Sequence, residues 1–181
     1  MIIRTITCHD VYNLGASLQA YALLHYLSSK GHDVRIIDYK PDYLSRHFKF
    51  NIIANPKFDK PVIRQLYLIA KFPGRLLELK RKKKFDSFTH KYLKLTRRYD
   101  SYESLKADPP VADCYIAGSD QIWNYRFPGT KYDDYFLQFA ENRKKAAISG
   151  SFGVEEIPDE WKRTYVDGLS GFAHLSVRED A

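Results

Sequence analysis

The sequence predicts an α/β fold: a Rossmann-like parallel sheet with helices on both faces. Two observations carry that expectation. Short apolar runs, IIRTITC near the N-terminus, DVRIIDY from Asp33 and VADCYIAG from Val111, alternate with segments of helical spacing. The first two runs are joined by LGASLQAYALLHYLSSKG, which reads as a helix, so the three pieces form a β-α-β unit with parallel strands and a right-handed crossover. A chain of 181 residues with 44% hydrophobic content is long and apolar enough for one packed domain, expected to cover residues 1–181.

Each element follows from its local chemistry. Asn13 is placed to cap the first helix and Gly31 to close it. Ala16, Ala20, Leu23, Leu24 and Leu27 fall on one apolar face, and the small Gly15, Ala16 and Ala20 let the first turns press against a sheet. From Pro41 to about Tyr99 the character changes to a loop-rich passage and then a long helical pattern, read as a variable insertion packed on or beside the sheet. Pro73-Gly74 is expected to interrupt or kink that helix. Leu77, Phe85, Phe88 and Tyr92 offer it an apolar stripe, and Lys80 to Lys84 (KRKKK) supply charge. KKAAISG then reads as a strand, PDEWKRTYVDGLSGF as a helix and AHLSVRED as the start of a further strand. An α/β alternation would ordinarily go on to another helix, so a second, C-terminal domain is expected outside this chain.

Composition narrows the function classes. The 29 Lys and Arg against 22 Asp and Glu give a formal charge of +7, which favours anionic partners without choosing among them. The KRKKK run comes without any recognisable nucleic-acid motif and reads as the solvated face of a helix. The two cysteines, Cys8 and Cys114, sit in apolar runs and read as buried free thiols, not as a disulfide framework or zinc site. The N-terminus lacks a signal-peptide core and no run reaches the ~18 apolar residues of a membrane span, so a cytoplasmic protein is expected.

In an open parallel sheet, ligands bind beyond the carboxyl ends of the strands, where helix N-termini and loops converge. That rule selects His9, Asp10, Tyr12 and Asn13 after the first strand, Gly118 to Asn124 after the strand at 111–117, Gly150 to Gly153 after the strand at 145–149, and Arg178 and Glu179 after the last. Each has a purely structural alternative. HDVYNLG can be no more than the start of a helix, and Trp123 can plug the core while Asp120 caps a turn. Ser149, Gly150 and Ser151 mark a place where backbone passes close to a ligand or to a neighbouring helix. Gly15 stands alone, so the G-x-G-x-x-G dinucleotide fingerprint is absent and Asp38 is not a ribose ligand. Cys8 and His9 are adjacent and make a poor thiolate pair, so a buried Cys beside a rim His is expected.

Taken in order, HDVYNLGASLQAYALLHYLSSKGHDVRIIDYKP, DCYIAGSDQIWN, YFLQFA, KKAAISGSFG and HLSVRED resemble the N-terminal half of the polysaccharide pyruvyl transferase family. The most specific pieces are Asn-x-Gly-x-x-x-Gln-x-Tyr-Ala-Leu from Asn13 to Leu23 and Gly-Ser-Asp-Gln-x-Trp-Asn from Gly118 to Asn124. The resemblance lapses from about Phe48 to Tyr99, and Ser149 to Gly153 read Ser-Gly-Ser-Phe-Gly where similar proteins often have Ala-Ala-Ser-Phe-Gly. It implies one half of a glycosyltransferase-B-like two-domain enzyme that moves pyruvate from phosphoenolpyruvate onto a sugar of a cell-surface polysaccharide, forming a ketal. Such chemistry needs a general acid/base and cations or backbone N–H groups for carboxylate and phosphate. The resemblance then implies Asp120 as the acid/base, and Asn13, Ser119, Gln121, Asn124 and Ser151 as substrate-binding residues. Trp123 would be a stacking or packing surface and Arg178 an anion contact.

The implied partners are a sugar or lipid-linked oligosaccharide acceptor, phosphoenolpyruvate as donor substrate, and the C-terminal domain, which would hold most donor-anchoring cations. The fragment alone would then be inactive. Peripheral membrane association stays open, and no cofactor, metal or nucleic acid is expected. Two other classes compete: a nucleotide-sugar glycosyltransferase of similar architecture, and a non-catalytic module that docks an anionic polymer through its basic helix.

Overall fold

The computed structural model describes residues 1–41, 60–126 and 134–178. They build a six-stranded, all-parallel sheet in the order β3-β2-β1-β4-β5-β6. The strands are β1 (Ile2–Ile6), β2 (Asp33–Tyr39), β3 (Leu95–Tyr99), β4 (Cys114–Gly118), β5 (Lys145–Gly150) and β6 (His174–Val177). The helices are α1 (Leu14–Ser29), α2 (Pro61–Tyr92), α3 (Tyr102–Ala107) and α4 (Asp159–Leu169). Strand order reverses direction between β1 and β4, and the crevice at such a reversal is where open α/β sheets bind ligands.

The sheet is covered on both faces because alternate residues of each strand feed two separate apolar clusters. Ile3, Val34, Ile36 and Ile116 meet Ala20, Leu23, Leu24 and Leu27 of α1 on one face. Ile6, Ile37, Tyr39, Ala117 and Ala147 point the other way, towards Leu105 of α3, Tyr165 of α4 and the turns around Tyr135 to Leu137. Pairing of Ile3 with Val34 on one side and with Cys114 on the other sets this alternation in register across the three central strands.

The middle of the chain differs from the sequence expectation. Leu95–Tyr99 is an edge strand paired in parallel with β2, so the segment read as an insertion returns to the sheet before residue 99. LTRRY carries three polar residues and little apolar signal, which is why an edge strand there escapes a hydrophobicity reading. The short α3 that follows is held by a reciprocal cap, with Ser101 and Ser104 each accepting the other's backbone N–H. The α2 helix runs unbroken through Pro73, contrary to the expected interruption. A proline costs a helix one N–H donor and a steric adjustment, and the remaining ladder carries the helix across. Phe88 and Tyr92 of α2 pack on Tyr21 of α1, as their spacing suggested; the Leu77 side chain and the loop-rich passage at 42–59 lie outside the described residues.

Asn13 caps α1 as its position predicted, its Oδ1 accepting the Ala16 N–H at 3.3 Å. Asn13→Ala is therefore expected to lower unfolding free energy by about 1 kcal/mol and Asn13→Asp to leave it nearly unchanged, as read from urea titrations.

Candidate active site at the carboxyl ends of the strands

At the end of β4, Gly118 has φ +122°, and a Cβ there would sit 2.2 Å from the Ile148 carbonyl oxygen. Only glycine lets β4 and β5 run this close while the chain turns sharply into Ser119. The turn from Asp120 to Asn124 is then drawn back over the sheet: the Asp120 carbonyl accepts from Ser151 N at 3.0 Å, and Trp123 N donates to the Ser151 carbonyl at 3.2 Å. Two adjacent loops thus share a short ladder beyond the strand ends.

Trp123 fixes that arrangement. Its indole has 0% exposure and packs among Phe136, Phe152 and Phe172, with Nε1 donating to the Tyr135 carbonyl at 3.3 Å. A Cβ on Gly150 would lie 2.5 Å from the ring, so the glycine is the space the indole fills. Tyr165 of α4 donates its hydroxyl to the Trp123 carbonyl. Of the two roles expected for Trp123, stacking on a ligand or packing, the buried indole performs the second.

Beyond the tryptophan the polar residues are linked to one another. Ser151 is fully buried; its Oγ accepts from Arg178 at 2.8 Å and from the Gly153 N–H at 3.1 Å. The Arg178 N–H donates to the Gly150 carbonyl, extending the β5–β6 pairing by one residue. Asn124 Nδ2 donates to Gln121 Oε1 at 3.3 Å, and Gly153, at φ +62°, lies so close that a Cβ would stand 2.6 Å from the Gln121 side chain. Arg126 N in turn donates to Asn124 Oδ1. Gln121, Asn124, Ser151 and Arg178 therefore form one connected group; Glu179 lies outside the described residues. A cavity of about 560 Å³ adjoins them, with Tyr125, Arg126 and Gly153 to Pro158 along its walls.

The β1 side joins through a residue that strand-end reasoning did not select. Gln19, on the first turns of α1, donates through Nε2 to Thr7 Oγ1 at 2.8 Å and accepts the Ser119 N–H at 3.2 Å through Oε1. It spans the crevice where strand order reverses. Its signal was the Gln of the Asn13–Leu23 pattern, and only the fold shows what it touches. His9 is not the rim residue expected: its side chain is buried, with Nε2 3.1 Å from Asp38 Oδ1 and Nδ1 3.3 Å from the Thr7 carbonyl. Lys40 lies between Asp10 and Asp38 at 3.3 and 3.5 Å. Tyr12 is also buried, against Phe85 and Lys82 of α2. Asp38 thus lies between His9 and Lys40 at the ends of β1 and β2.

A family model described as polysaccharide pyruvyl transferase matches residues 13–181. The chain belongs to that family. No curated protein and no solved structure matches it. In this pyruvyl transferase family member, the matched span includes every one of the clustered residues just described except those of β1 and its loop before Asn13.

The electrostatics of the pyruvyl transferase rim separate its carboxylates. Burial raises the Asp120 carboxyl above its usual range, and the Gln121 N–H bond and the Arg178 charge offset only part of that rise. At Asp38 burial pushes the same way, but the His9 hydrogen bond and the Lys40 charge outweigh it and hold the group low. The two carboxyls are thus shifted in opposite directions, Asp120 towards keeping its proton and Asp38 towards ionisation. Burial drives the Cys8 thiol up to about 12, so it is no thiolate nucleophile at neutral pH. Cys114 is only half-buried, less than its apolar run implied. Among the described residues no group of three or more His, Cys, Asp or Glu side chains is placed to hold a metal.

Two outcomes follow. Gly150→Ala forces a methyl group into the Trp123 ring and is expected to cost ~1–3 kcal/mol of stability, measured by urea unfolding. For Asp120, a native pKa raised above the unfolded value means that ionising it costs stability fully above the native pKa, and that the cost vanishes as pH falls below the unfolded value. Asp120→Asn keeps the acceptor for Gln121 N–H and is expected to raise the melting temperature at neutral pH but not below pH 3.8.

Proposed function

We propose that this rim binds a sugar acceptor and that, in the full-length protein, Asp120 handles the proton in transfer of pyruvate from phosphoenolpyruvate. The observation that carries the reading is the gathering of Gln19, Ser119, Asp120, Gln121, Asn124, Ser151 and Arg178 at the carboxyl ends of β4, β5 and β6, beside the β1–β4 reversal, within a chain of this family.

The chemistry asks for a neutral acid at the start. Asp120 gives its proton to the methylene carbon of phosphoenolpyruvate, leaving a cationic C2 that the first sugar hydroxyl captures, with that hydroxyl's proton returning to Asp120. Phosphate then departs with the electron pair of its bond to C2. A second hydroxyl closes the ketal, and its proton leaves with phosphate. A burial-raised carboxyl suits the first step because it holds its proton nearer to neutral pH. Arg178, oriented by Ser151, contacts an anionic group of the donor. Asn13, Ser119, Gln121 and Asn124 contact acceptor hydroxyls, and a second domain outside this chain supplies further cations, as in a glycosyltransferase-B-like cleft.

The test is phosphate release from phosphoenolpyruvate by the full-length protein with a panel of sugar acceptors. Asp120→Asn is expected to lower kcat at least ~100-fold with the circular dichroism spectrum unchanged. Absence of release with every acceptor, in a folded protein, would overturn the reading; nucleotide release from a nucleotide-sugar would replace it with a glycosyltransferase.

A further inference from the structure

One polar side chain at the rim spends both ends of its amide on the protein. Gln19 lies on the second turn of α1, where the buried Ala16 and Ala20 let the helix sit close to the sheet. The Ser119 N–H can only donate, so the Gln19 oxygen faces it at 3.2 Å, and the amide nitrogen is left to meet the Thr7 hydroxyl at 2.8 Å. Its partners thus fix which way the amide points. Thr7 directly follows β1 and is 1% exposed, so the bridge ties the loop after β4 to a buried point one strand away. The β1–β4 pairing runs as far as Ile6 with Ala117, and Gln19 takes over two residues later. On the other side, the Asp120 carbonyl accepts the Ser151 N–H at 3.0 Å. Ser119 and Asp120 are therefore held between two anchors, β5 through Ser151 and β1 through Gln19. Among the described residues, Gln19 makes the one hydrogen bond to Ser119, and the Ser119 hydroxyl has no protein partner.

We propose that Gln19 is a positioning residue: it touches no substrate, and its bridge from Thr7 to Ser119 aims the Ser119 hydroxyl and the Asp120 carboxyl at the reacting groups. The inference rests on the pyruvyl-transfer reading of this rim. A loop leaving a strand end is free to swing on the side where no ladder holds it, and a misplacement of about 1 Å at a reacting centre costs ~100-fold in rate. The bridge removes that freedom on the β1 side. An amide suits the position because it offers a donor and an acceptor at once, which neither a carboxylate nor an apolar side chain of similar size does. It is also neutral. From Leu14 to Ser29 α1 carries no Asp, Glu, Lys or Arg, so this helix fixes Ser119 without adding a charge beside Asp120, which Arg178 already faces.

The experiment compares the full-length parent, Gln19→Leu, Thr7→Val and the double variant in steady-state phosphate release at varied phosphoenolpyruvate and sugar acceptor, together with amide hydrogen exchange at Ser119. Gln19→Leu is expected to lower kcat ~10- to 100-fold, with both KM values within about threefold, unchanged circular dichroism and faster exchange at Ser119. Thr7→Val removes a buried hydroxyl whose hydrogen bond goes to Gln19. It is expected to lower kcat in the same direction, and the double variant to fall no lower than Gln19→Leu alone. Should Gln19→Leu fail to fold, Thr7→Val and its Ser119 exchange carry the test. An active parent whose folded Gln19→Leu variant keeps its kcat would overturn this role alone. A raised acceptor KM at constant kcat would replace it with direct substrate contact, and losses that multiply in the double variant would show that Thr7 and Gln19 form no bridge. A parent that releases no phosphate with any acceptor would remove the pyruvyl-transfer reading, and this role with it.

Discussion

The contact between Trp123 and Gly150 governs the working end of this domain. A bulky indole set in the gap left by a missing side chain couples the loop after β4 to the end of β5, and three further rings enclose it. Close packing of this kind tolerates few alternatives, because a displaced ring would open a void and an added methyl would overlap it. The polar residues on either side of Trp123 inherit their positions from it. Ser151 donates its backbone N–H to the Asp120 carbonyl and accepts the Trp123 N–H across the same gap, and Gln121 and Asn124 turn towards Gly153.

A second constraint comes from strand order. Because β1 and β4 are neighbours while their following segments diverge, a crevice opens between them, and Gln19 closes it with one bond to each side. The amide suits the task since it offers a donor to Thr7 and an acceptor to Ser119 at once. His9, Asp10, Asp38 and Lys40 lie beyond it on the β2 side, linked by contacts of 3.1 to 3.5 Å. Asp120, towards β5, is held above its usual range by burial, whereas His9 and Lys40 hold Asp38 below its own.

The α2 helix has two unlike sides. Its inner side completes the α1 face of the sheet and buries Tyr12, while its outer side departs from the usual polar exterior of a surface helix. The lysine run noticed in the sequence is accordingly split by the helix: Arg81 donates inward to the Tyr12 carbonyl, Lys82 pairs with Asp86 one turn along the same helix, and Lys80, Lys83 and Lys84 face solvent.

What the sequence alone determined was the class of fold, the capped α1 helix, the parallel strands with strong apolar patterning and the stretches that would gather at one rim. These rest on local periodicity and on motif order, which any contiguous segment displays by itself. Tertiary structure decided the rest. It made Leu95–Tyr99 an edge strand, since a weakly apolar segment becomes a strand only when β2 offers it a ladder. It buried His9 against Asp38 and set Trp123 inside the core, and it brought Gln19 to Ser119 across 100 residues of chain. It also raised Asp120 while lowering Asp38, two carboxyls alike in sequence, because burial and the nearest partner set the free energy of ionisation and both exist only once distant segments have met.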